Sequence, residues 1–126
     1  MSLRTPLGRV LGKGSAGEGT GHWWQQRVTA IALIPLSLWF LAGLLQRHAG
    51  MYVEMQEWLS RPWPAVLGVL LVVTLAWHSK LGVQVVIEDY VHGKGTKTFL
   101  LLLSTFLHAL AAFAGVFALL KLALSA

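Results

Sequence analysis

The side chains able to do chemistry concentrate in one stretch, His78 to His92, which reads HSKLGVQVVIEDYVH. A histidine stands inside a long apolar run, and eleven residues later, where that run ends, come Asp89 and Tyr90, preceded by Glu88. An ionisable residue within an apolar span is costly and, where it occurs, faces a bundle interior or a cavity. Neutral imidazole is a ligand for haem iron, given a flat slot between helices. The other reading of His78 is a helix–helix hydrogen bond. Gly82, one turn on, removes side-chain bulk from the same face, either for close approach of a macrocycle or for tight helix packing. At the end of the run, a phenol can donate a hydrogen bond to a quinone carbonyl, and a carboxylate beside it can orient it or relay protons. The ordinary readings there are a tyrosine of the interfacial aromatic belt and acids at a helix C-terminus, where the macrodipole does not favour them.

The elements that must position these groups follow from composition. Of 126 residues, 56% are hydrophobic and 12% are charged, about half the roughly one quarter charged that a soluble domain carries. The apolar residues fall into three blocks, Val28–Leu45, Ala65–Ile87 and Leu100–Leu120. Each comes close to the roughly 20 helical residues needed to cross a hydrocarbon core about 30 Å thick. The expectation is an all-α membrane protein with three transmembrane helices, over about 27–46, 65–89 and 98–122, forming one domain from 22 to 126. Residues 1–21 hold six glycines with Arg4, Arg9 and Lys13, and read as a flexible basic tail. The apolar run begins only at Val28, too far from these charges for the h-region of a secretory signal.

The flanks carry membrane signatures. Trp23 and Trp24 suit an interfacial belt. Arg27 either snorkels to the headgroups or serves a site. Pro35, inside the first span, removes a backbone donor and predicts a kink. Met51–Leu59 reads as a short interfacial helix with Met51, Met55, Trp58 and Leu59 on one side; Trp58 and Trp63 mark the second interface, and Pro62 and Pro64 suit a helix start. The second loop, Tyr90–Lys97, is short. Lysines and arginines near the span ends number six on the face of the tail and second loop against three on the other. This charge bias places the N-terminus in the cytoplasm and the C-terminus on the opposite side. His22, Arg27, Asp89, Tyr90 and His92 then share the cytoplasmic face, with His78 roughly 16 Å below Asp89 at about 1.5 Å per helical residue.

His108, in the third span, falls about as deep as His78, so a second axial ligand comes from it or from another subunit. Lys80, two residues from His78, lies about 200° round the helix and faces away from it. No cysteine is present, which excludes disulfides and cysteine-bound zinc or iron–sulfur clusters. The net charge of +5 sits beside apolar blocks instead of along one stripe, which argues against nucleic-acid binding.

His78-Ser79, Gly82 and Asp89-Tyr90-Val91-His92-Gly93, together with Arg27-Val28-Thr29-Ala30-Ile31, resemble the small hydrophobic membrane-anchor subunits of succinate dehydrogenase (respiratory complex II). The resemblance covers about residues 22–122. It implies that His78 is an axial ligand to haem b, sharing the iron with a histidine of the sister membrane-anchor subunit. It implies further that Tyr90 hydrogen-bonds ubiquinone with Asp89 beside it, and that Arg27 lies near the haem propionates and the quinone pocket. His22 matches only loosely, and His92 and His108 receive no role. Flavin and iron–sulfur clusters would belong to the flavoprotein and iron–sulfur subunits, which dock on the cytoplasmic face of a bacterial inner membrane. On this reading the chain is not a catalyst alone but part of a quinone-reducing oxidoreductase. The rival readings are a cofactor-free accessory subunit of another respiratory or transport complex, and a small transporter with His78 and Lys80 in a proton path.

Overall fold

The computed structural model describes residues 16–47 and 52–125, with side chains from Thr20 onward. Helix α1 spans Ala16–Gln46, α2 Tyr52–Leu59, α3 Pro62–Tyr90 and α4 Lys94–Leu124, with no strand among the described residues. Three of these helices are long and apolar enough to cross a membrane, so the chain is an all-α, multi-pass membrane protein as its composition requires. Each helix outruns its expected span because hydropathy marks only the part inside the bilayer. Helix α1 starts at Ala16, within the segment read as a tail; residues 1–15 lie outside the described residues.

Helix α3 is the central element. Pro62 occupies its first turn, where the missing N–H costs nothing. At the other end the Val91 N–H closes on the Ile87 carbonyl at 3.0 Å and the Lys97 ammonium donates to the Glu88 carbonyl at 2.8 Å. A cation there complements the negative end of the helix. Only residues 91–93 separate α3 from α4, a link that forces an antiparallel turn. Val72 abuts Gly115 and Ser79 meets His108, while on the other side Thr29 meets His78 and Gln26 lies beside Gly82. Helix α3 thus runs antiparallel to α1 on one flank and α4 on the other. The N-terminal part of α1, the C-terminus of α3 and the N-terminus of α4 share one end of the bundle.

The opposite end is the tightly closed one. Trp58 of α2 is 5% exposed and Leu59 4%. The Trp58 ring lies 5.1 Å from that of Trp39 and 5.9 Å from that of Phe40, with the Arg47 guanidinium 4.5 Å above it. It fills a notch at Gly43, where any Cβ would overlap the indole. The short helix forms over Tyr52–Leu59, Met51 lying outside the described residues, and Trp58 is buried against α1 while Trp63 stays 76% exposed. Gln56 ties α2 to the end of α4 by donating to the Ser125 carbonyl at 3.1 Å. Helix α1 runs through Pro35 without interruption; inside a membrane the freed carbonyl is tolerated by local adjustment. Outward faces carry large apolar side chains such as Phe106, Phe113 and Phe117. In lipid these cost nothing to expose, and helix association rests on close packing and interhelical hydrogen bonds.

Candidate functional site

Helix α1 presents His22, Gln26 and Thr29 at spacings of four and three residues, which sets the three in one stripe along the helix. Gln26 and Thr29 of this stripe meet α3. Thr29 Oγ1 lies 2.9 Å from His78 Nδ1, and also 2.8 Å from the Gln25 carbonyl and 3.1 Å from the Gln26 carbonyl. His78 Nε2 makes no hydrogen bond to any described residue. The ring lines an open groove of about 310 Å³ with Trp23, Gln26, Arg27 and Ala30. Arg27 sits 5.4 Å over the Trp23 ring, so a fixed cation stands in the groove that holds the imidazole. Gly82, one turn from His78, has room beside it: a Cβ there would meet only Gln26 Nε2, at 4.0 Å. No helix of this chain packs tightly against this glycine. His22 Nε2, one turn above Gln26, is buried with no described hydrogen-bond partner. Among the described residues no three His, Asp or Glu side chains gather around a common point.

The structure brings Arg27 and His78 together and leaves Asp89 and Tyr90 apart from them. Both of the latter are exposed at the C-terminal end of α3, Tyr90 at 79%, and neither side chain hydrogen-bonds to a described residue. Glu88 is engaged locally, accepting from Gln84 at 2.8 Å. His92 is exposed in the link to α4. On the other flank of α3, His108 Nδ1 lies 2.7 Å from the Ser104 carbonyl and Nε2 lies 3.1 Å from Ser79 Oγ. Both ring nitrogens are used, and His108 clips α4 to α3. Lys80 faces this α4 side, as its helical position requires, with its ammonium 5.5 Å over the Trp77 ring. Thr29 and Gln26 were not among the sequence candidates for the site. The signal that could have found them is the stripe itself, three polar residues on one face at the entry to an apolar helix.

The comparisons with known proteins agree on one family. Residues 1–119 match the family described as succinate dehydrogenase/fumarate reductase transmembrane subunit. The chain is 33% identical over 126 residues to the succinate dehydrogenase hydrophobic membrane anchor subunit of Paracoccus denitrificans, covering 100% of this chain and 97% of that one. It is 38% identical over 90 residues to the protein of the same name from Rickettsia bellii, covering 71% of each. A succinate dehydrogenase membrane anchor subunit from Reclinomonas americana is 34% identical over 88 residues, covering 64% of this chain and 69% of that one. No solved structure matches the chain at a significant level.

Proposed function

Because the chain belongs to the transmembrane-subunit family of succinate dehydrogenase and fumarate reductase, we propose that it anchors a succinate:ubiquinone oxidoreductase in a bacterial cytoplasmic membrane and supplies half of a haem b site. The observation that carries this reading is His78: its Nδ1 is engaged by Thr29, while Nε2 is free of described partners in the groove that also holds Arg27. The surroundings suit the group. Gly82 and Ala30 leave space beside the imidazole, and Arg27 is a cation for propionate carboxylates. Haem bound there would supply a one-electron redox centre, with its second axial ligand from a sister membrane-anchor subunit.

The partners follow from the same reading. A flavoprotein subunit and an iron–sulfur subunit would oxidise succinate and deliver electrons at the end of the bundle that carries Asp89 and Tyr90, which is the cytoplasmic end by the lysine and arginine count. The Tyr90 hydroxyl, exposed at that end, would donate a hydrogen bond to a ubiquinone carbonyl oxygen, and the Asp89 carboxylate would pass a proton from water toward it. Neither has a described partner to break first. Burial of both groups awaits the docked subunits.

The test is optical. In the assembled complex, His78→Ala should alter or abolish the reduced b-type absorption band, and an unchanged band and potential would remove the ligand assignment. Tyr90→Phe should slow ubiquinone reduction by about 100-fold or more, the low end of a positioned proton donor's worth. Succinate oxidation by an artificial dye should persist in that variant; equal loss of both activities would point to failed assembly instead.

A further inference from the structure

We infer that Thr29 is a positioning residue for the His78 site, one that fixes the imidazole as its Nδ1–H tautomer and so aims an unprotonated Nε2 at a metal. This rests on the ligand role proposed for His78 and assigns the hydroxyl one helix away that makes the role possible.

A count of protons decides the direction of the bond. Thr29 Oγ1 has three neighbours at hydrogen-bond distance, the Gln25 carbonyl at 2.8 Å, the Gln26 carbonyl at 3.1 Å and His78 Nδ1 at 2.9 Å. A carbonyl oxygen only accepts, and a hydroxyl has a single proton to give. If that proton went to His78, two carbonyl oxygens would face the bare lone pairs of Oγ1 at those distances. Giving it to the preceding turn of α1, the usual habit of a helical threonine, relieves that repulsion at the nearer carbonyl, that of Gln25. Oγ1 is then an acceptor toward α3. Nδ1 must carry the proton, and Nε2 is left with its lone pair. This is the state that metal ligation needs, since the second ring nitrogen sets the tautomer and raises the basicity of the first.

The geometry also makes Thr29 specific. Threonine's β-branch restricts χ1 in a helix and its Oγ1 settles against the i−4 or i−3 carbonyl. The acceptor is therefore held by the backbone of α1 instead of by a flexible chain. Valine keeps the branch and volume but has no oxygen; serine keeps the oxygen. That pair of substitutions separates hydrogen bonding from packing.

The experiment uses the assembled complex, with haem content measured by absorption and the midpoint potential by redox titration. Thr29→Val should weaken haem retention by roughly 10- to 100-fold, as loss of such a partner does. It should also raise the midpoint potential, because a less basic imidazole supports the ferric form less well. A tenfold loss falling on the ferric form alone corresponds to about 59 mV for a one-electron couple. Thr29→Ser should restore both values. An unchanged potential and haem content in Thr29→Val overturns the inference, as does a potential that Thr29→Ser fails to restore. Should Thr29→Val assemble poorly, the same change is made in His78→Ala: a positioning role predicts no further loss of assembly there, and an equal loss in both backgrounds overturns it. A normal b-type band in His78→Ala alone would instead strike the ligand reading beneath, so the two failures are told apart.

Discussion

His78 and His108 sit on opposite flanks of the contacts made by α3, at similar depth, and each is tied to a hydroxyl on a neighbouring helix. Their difference lies in one nitrogen. At His108 the Ser104 carbonyl, 2.7 Å from Nδ1, can only accept, so Nδ1 carries the proton. Nε2 then accepts from the Ser79 hydroxyl at 3.1 Å. At His78 the same tautomer results, but Nε2 has no described partner. One imidazole is spent on joining two helices and the other is half spent. An ionisable residue in a membrane span is a functional suspect by default; what separates suspect from clip is whether the hydrogen bonds of the fold already consume it.

That comparison breaks most visibly in the haem band. His78→Ala is expected to alter or abolish it, whereas His108→Ala is expected to leave its position and potential unchanged in the assembled complex. Loss of the band in His108→Ala at normal assembly would mean that the α4 flank also faces the iron, and the distinction between the two histidines would fall.

A smaller effect separates the glycines of the two flanks. Gly115 of α4 packs on Val72, and a Cβ there would stand 2.8 Å from Val72 Cγ1. A valine in a helix strongly prefers one rotamer and retreats from it only at a cost, so Gly115→Ala should cost about 1–3 kcal/mol of resistance to thermal dissociation in detergent, as overpacking does. At Gly82 a Cβ would meet only the flexible end of Gln26, at 4.0 Å. There Gly82→Ala should gain roughly 0.5–1 kcal/mol from reduced backbone freedom and yet lower haem retention by filling the space. If Gly82→Ala is destabilising and Gly115→Ala neutral, the open and closed flanks have been assigned the wrong way round.

The sequence made some of this legible and hid the rest for physical reasons. Three spans, the short helix before the second and the prolines at its start were readable, because apolar block length and the fixed φ of Pro62 are local properties. The family was readable from His78, Gly82 and Asp89-Tyr90. The burial of Trp58 was not, since an aromatic-belt tryptophan and one wedged at Gly43 look alike until the helix carrying Gly43 is in place. His108 could not be separated from His78 by depth alone; its clip needs Ser79 and Ser104, from two helices, at once. Thr29 stood within a recognised motif, but its partner lies 49 residues away, a separation that no periodicity reports.

The mildest test concerns the clip itself. Ser79 is adjacent to His78, so consecutive residues of α3 point to different neighbours, about 100° apart on the helix. Ser79→Ala removes the donor to His108 Nε2 while Nδ1 stays bound to the Ser104 carbonyl. Interhelical hydrogen bonds in membranes average about 0.6 kcal/mol and reach about 1.7, so the loss of thermal stability should fall within that range. The variant also leaves His108 with the tautomer and free Nε2 that His78 has, on the flank that lacks Arg27. The b-type band should therefore keep its intensity and potential, since His108 lies across α3 from the groove that His78 shares with Arg27. A shift as large as that of Thr29→Val would show that the two flanks of α3 are coupled through its backbone, and non-additivity between neighbours would replace the division of labour between the two histidines.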